Sequence, residues 1–209
     1  MQWKDEEELV LVSLIASILF MTVLDLALGA IYTAMILSYL FYMRKPYTIQ
    51  FSRDKKYFSP SVLIAAILGV MIYYMVVAVF KLPFVTQSLV GFSITDISLD
   101  NPVLKALIWI FFIPLAETLF FLGLVFGYIR YKSRTAGGLL FIIFGIVLAL
   151  FHVLSQKMTQ EILMIDIIFG TISGIFVIKH VELKQAFWIH VFANIIGVYA
   201  LGGLAWLLQ

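Results

Sequence analysis

The chain contains no cysteine, only five prolines and three histidines, and charged residues make up just 12% of its 209 positions. Without cysteine there can be no disulfide scaffold, thiolate nucleophile or cysteine-ligated zinc. The charged share is about half that of an ordinary soluble domain. With 63% hydrophobic residues and a mean hydropathy of +1.07, too little polar surface remains to coat a soluble fold of this size. Soluble enzymes and nucleic-acid binders are excluded on that ground. The composition predicts an all-α polytopic membrane protein, with 1–209 forming a single integral membrane domain. At roughly 20 residues per crossing the length allows about eight helices at most.

Long apolar runs predict about seven transmembrane helices. The run over 9–43 would extend roughly 50 Å as one helix, too long for a single crossing, so a hairpin of two short helices is expected. Five further spans are expected over 62–80, 103–129, 137–154, 162–178 and 186–207. The start, MQWKDEEELV, lacks the basic segment of a signal peptide, so the first helix is expected to stay in the mature protein. Arg44, Lys45, Arg53, Lys55 and Lys56 share one loop. Arg130, Lys132 and Arg134 share another, and Lys179 and Lys184 a third. Only Lys81, Lys105 and Lys157 fall on the opposite side. The positive-inside rule makes the basic loops cytoplasmic, with the N-terminus inside and the C-terminus outside, in the cell membrane.

The stretch 82–101 is expected to be the one sizeable outer loop, able to lie along the interface. Asp100-Asn101-Pro102 has the form of a helix start. Gly123/Gly127 and Gly170/Gly174 are GxxxG pairs, expected to let helices approach closely.

Ionisable groups at bilayer depth are costly and therefore functional candidates. Asp25 falls at the expected hairpin tip, where a solvated turn accounts for it. Asp166 lies about one turn from a loop and is expected to reach the interface. Glu117, His152, His190 and Asn194 form a chemically coherent set. Glu117 lies mid-helix among Phe111, Phe112, Phe120 and Phe121, and His190 and Asn194, four apart, project from one helical face. A carboxylate that takes a proton from water, with imidazole and amide donors for an oxyanion, suffices for peptide hydrolysis. Four separate interhelical hydrogen bonds would account for the same residues.

Those residues also carry a resemblance. Pro114-Leu-Ala-Glu117-Thr118-Leu-Phe-Phe-Leu122-Gly123 resembles the first motif, EExxxR, of the CPBP family, which comprises the CAAX prenyl proteases type II and the bacteriocin-processing, or Abi, membrane proteins. Leu148-Ala-Leu-Phe-His152 is similar to the second motif, FxxxH, and His190-Val-Phe-Ala-Asn194 matches the third, HxxxN. Order and spacing agree over 103–209, which would be the family's four-helix core, with N-terminal helices and the outer loop over 1–102.

The resemblance implies a glutamate-dependent intramembrane endopeptidase acting on a membrane-embedded or lipid-anchored peptide, with no cofactor. Glu117 and His152 would activate water, and His190 and Asn194 would stabilise the oxyanion. An older view of the family makes such residues metal ligands, so zinc on Glu117, His152 and His190 is the alternative. Asparagine is a poor zinc ligand, and no HExxH spacing is present. The family's second glutamate is Thr118 here, its arginine Leu122 and its phenylalanine Leu148. Thr118 and Leu122 fit either the joint loss of one buried ion pair or a catalytically inactive membrane scaffold that binds a partner. A small proton-relaying transporter is a third reading, but the inverted repeats that mark transporters are not seen.

Overall fold

The computed structural model describes residues 3–24, 26–51, 60–80, 102–155, 160–180 and 182–200. Among them every regular element is a helix. The first two, α1 (Trp3–Val23) and α2 (Leu26–Tyr42), pack along one another as the expected hairpin. Asp25, between them, lies outside the described residues, as does the expected outer loop. From Leu9 onward α1 is largely apolar. Ala16, Phe20 and Val23 face the interior, whereas Leu11, Ile18 and Met21 point outward. Outward-facing aliphatic side chains recur on Ile64, Leu68 and Met71 of α3 (Pro60–Phe80). A helix that is apolar on both faces is at home in lipid.

Residues 102–132 form one rod whose register changes four times. It comprises α4 (Pro102–Leu107), a π-helical segment π1 (Ile108–Phe112), α5 (Ile113–Glu117), a second π segment π2 (Thr118–Phe126) and α6 (Gly127–Lys132). The rod starts at Pro102, as the sequence predicts. Proline causes the first irregularity. The Ile113 N–H bonds to Ile108 O, in the i→i−5 pattern. Continuing that pattern would require an N–H on residue 114, which proline lacks.

The chain then continues through α7 (Arg134–Ile142), α8 (Phe144–Ser155), α9 (Gln160–His180) and α10 (Lys184–Ala200). Ser133 caps α7 by accepting from the Ala136 N–H. The expected straight span over 137–154 is instead the bent pair α7–α8, which turns by 59°.

Among the described residues, Ile108–Lys132 and Leu163–His180 are long and apolar enough to cross a membrane, and the bent α7–α8 pair makes a third if taken as one span. Leu26–Tyr42 and Pro60–Tyr73 are apolar but shorter.

Glycines set the closest approaches. A Cβ on Gly174 would run into the backbone carbonyl of Phe141, and one on Gly170 would meet the Gly145 backbone. This pair thus brings α9 against α7 and α8, as a GxxxG pair should. Gly123 and Gly127 act differently. They seat the Tyr39 ring, Leu183 and the loop at Tyr47, rather than a second helix backbone. Gly174→Ala is expected to cost about 1–3 kcal/mol by forcing the helices apart, read as a lowered Tm in detergent. Gly138→Ala, where an added Cβ meets nothing within 4 Å, is the control and should leave Tm unchanged or slightly raised.

The three basic loops meet at one end of the bundle. Ile49 N–H donates to Gly123 O at 2.9 Å, and Tyr39 Oη donates to Ile49 O at 3.0 Å. The amides of Leu183 and Lys184 donate to the carbonyls of Gln50 and Phe51. These are donors that the start of α10 would otherwise leave unsatisfied.

Candidate active site

Four helices bring Glu117, His152, Asp166 and His190 together inside the bundle. Glu117 closes α5 and is 0% exposed, while Asp166, His152 and His190 are also buried. His152 lies between two carboxylates, with Nε2 3.0 Å from Glu117 Oε1 and Nδ1 2.7 Å from Asp166 Oδ2. Tyr32 Oη, from α2, donates to the same Glu117 Oε1 at 3.1 Å. His190 Nε2 approaches Glu117 Oε2 at 3.4 Å without hydrogen-bond alignment. Glu117 Oε2 and His190 Nδ1 have no hydrogen-bond partner among the described residues.

One oxygen of Glu117 is thus fixed from two sides, and the other has no hydrogen-bond partner among the described residues. Proton bookkeeping follows from the donor inventory. If Asp166 accepts from Nδ1–H, the remaining nitrogen either donates to a Glu117 carboxylate or accepts from its acid form. One proton can therefore sit on Glu117 or on His152, with Asp166 holding the ring in place.

The sequence placed Asp166 at the interface; it is instead 6% exposed and hydrogen-bonded to His152. The reason is a close helix contact. Gly145 of α8 lies against the carbonyls of Asp166 and Ile167, which brings Asp166 within side-chain reach of α8. The sequence reading missed Tyr32 altogether. A tyrosine in the middle of an apolar helix carries a hydroxyl that must find a partner away from water, and that was the available signal. Straight spans would set His152 and His190 more than about 10 Å apart in depth. The bend between α7 and α8 removes that premise, and both rings reach Glu117.

Asn194 is not hydrogen-bonded to this cluster. It sits one turn beyond His190 and donates from Nδ2 to Trp109 O at 2.9 Å. This bond ties α10 to the irregular rod. Asn194→Ala is expected to lower stability by about 1 kcal/mol, since it removes a part-buried hydrogen bond between two helices, and thermal melting in detergent checks this. An unchanged Tm with a ~100-fold loss of turnover would restore Asn194 to the oxyanion role that the resemblance implies.

Thr118 and Leu122 are both fully buried. Leu122 lies in the apolar cluster with Leu119 and Phe126, and the Thr118 hydroxyl has no hydrogen-bond partner among the described residues. Two neighbouring positions that would hold a glutamate and an arginine in the CPBP motif are here an apolar side chain and a lone hydroxyl.

His152 directs both ring nitrogens at carboxylates. Among the described residues no group of three or more His, Cys, Asp or Glu side chains could hold a metal ion.

No family model matches the chain, and neither the curated proteins nor the solved structures give a match.

Proposed function

We propose that the chain is an intramembrane endopeptidase of the CPBP type, hydrolysing a peptide bond of a membrane-embedded or lipid-anchored substrate with no cofactor. It would sit in the cell membrane as a bundle of about seven spans, with its basic loops cytoplasmic. The observation that carries this function is the asymmetry of Glu117. Tyr32 and His152 hold Oε1, while Oε2 is unpaired beside His190.

In the proposed reaction Glu117 Oε2 takes a proton from water as the water oxygen attacks the peptide carbonyl carbon. The C=O π bond breaks and its electron pair moves to oxygen. His190, in the tautomer or charge state that places a proton on the nitrogen facing the substrate, donates to that oxyanion. The proton gained by the Glu117–His152 pair then passes to the leaving nitrogen as the C–N bond breaks. The new carboxyl and amine are released, and the pair regains its starting protonation.

A catalytically inactive scaffold is the second reading, favoured by the apolar surroundings of Thr118 and Leu122. One experiment separates the two. Membranes from cells expressing the wild-type chain or Glu117→Gln are compared by sequencing new protein termini. Peptide ends that arise only with the wild type support the endopeptidase, and identical terminal profiles favour the scaffold.

A further inference from the structure

We propose a second site, sharing no residue with the carboxylate–histidine cluster: a pocket at the basic end of the bundle that binds the phosphate of an anionic headgroup. The loop after α2 and the junction between α6 and α7 enclose a cavity of about 280 Å³. Tyr47, Gln50, Arg130, Tyr131 and Arg134 line it. The two segments that form it, 44–51 and 127–134, carry Arg44, Lys45, Arg130, Lys132 and Arg134 and no acidic residue.

Arg130 is the anchor. Its guanidinium lies 5.8 Å from the Phe141 ring centroid, and one terminal nitrogen is buried with no hydrogen-bond partner among the described residues. A buried guanidinium donor without an acceptor is costly, and a bidentate oxyanion is the ligand that satisfies it best. Arg134 adds a second cation at the rim. It is also the first residue of α7.

Tyr47 stacks edge-on against Tyr128 at 5.1 Å and lies 6.2 Å from Tyr131. Tyrosines grouped beside cations mark the headgroup level of a bilayer, where rings sit against the acyl boundary and hydroxyls face the polar layer. A basic pocket at that depth fits an anionic phospholipid. A soluble phosphate compound entering from the aqueous side presents the same chemistry.

The test measures lipid retention by native mass spectrometry and Tm by thermal melting on the detergent-purified full chain. The probes are phosphatidylglycerol, phosphatidylcholine and inorganic phosphate. Phosphatidylglycerol should be retained in preference to phosphatidylcholine and should raise Tm. Arg134→Gln should weaken that binding about 5-fold and Arg130→Gln/Arg134→Gln more than ~20-fold, at roughly one such step or more per lost cation. Equal protection by inorganic phosphate, lost in the same variants, supports the phosphate site and assigns it a soluble source. Equal retention of the two lipids without protection by phosphate overturns the proposal. So does unchanged affinity in Arg134→Gln, the exposed position that decides the matter if the double variant does not fold.

Discussion

Replacing Glu117 by glutamine is expected to lower turnover at least ~100-fold while leaving the fold intact. Glutamine keeps the shape of the side chain and an oxygen that can accept from Tyr32 and His152, but it cannot take a proton from water. General-base catalysis alone accounts for a factor of about 10²–10⁴. Tm should fall little, because Oε1 is the hydrogen-bonded oxygen and Oε2 has no hydrogen-bond partner among the described residues. Turnover and melting are measured on the same purified preparation. A large loss of Tm would show that the cluster serves folding before chemistry.

Asp166 is expected to matter nearly as much without touching substrate. Its carboxylate fixes the His152 ring through Nδ1 at 2.7 Å, and so determines which nitrogen faces Glu117. Asp166→Asn keeps the volume but can donate to Nδ1 as readily as accept from it, which admits the wrong tautomer. In a triad built on the same logic the equivalent change costs about 10⁴-fold in kcat. An effect of about 10²- to 10⁴-fold is expected here, on kcat with KM nearly unchanged. Asp166→Ala should in addition lose several kcal/mol of stability, because it leaves a buried polar partner unmatched. Wild-type kcat in a well-folded Asp166→Asn would remove Asp166 from the site.

Much of this arrangement was legible in the sequence. The length of the run over 9–43 against the thickness of a bilayer dictated a hairpin, and α1 and α2 form one. Pro102 opens its helix as a first-turn proline should. The ordered motifs picked out Glu117, His152 and His190, and these converge.

What escaped the sequence reading escaped for physical reasons. The depth of a side chain was inferred from straight helices, and no proline marks the 59° bend between α7 and α8. Asp166 was judged by its distance along the chain from a loop, whereas its burial depends on the Gly145 contact between two helices. Tyr32 belongs to a helix 85 positions away from Glu117, and no local pattern links the two. Asn194 was assigned a role by motif. Its hydrogen-bond partner, the Trp109 carbonyl, lies 85 positions away, and no local pattern links the two.

The expectation of seven spans is matched in part. Hydropathy along the chain counts apolar runs, but a crossing also requires sufficient unbroken length. Two described helices provide that length singly and a third bent pair provides it jointly.

The most direct test is turnover by the purified, chelator-treated chain in liposomes on a membrane-anchored peptide whose cleavage was found in cells. The expected result is that the wild type still cleaves after chelation, with the same product termini, and that Glu117→Gln cleaves at least ~100-fold more slowly. Cleavage by Glu117→Gln at the wild-type rate would contradict the glutamate mechanism. Loss of wild-type activity on chelation, with recovery on return of zinc, would contradict its metal-free form.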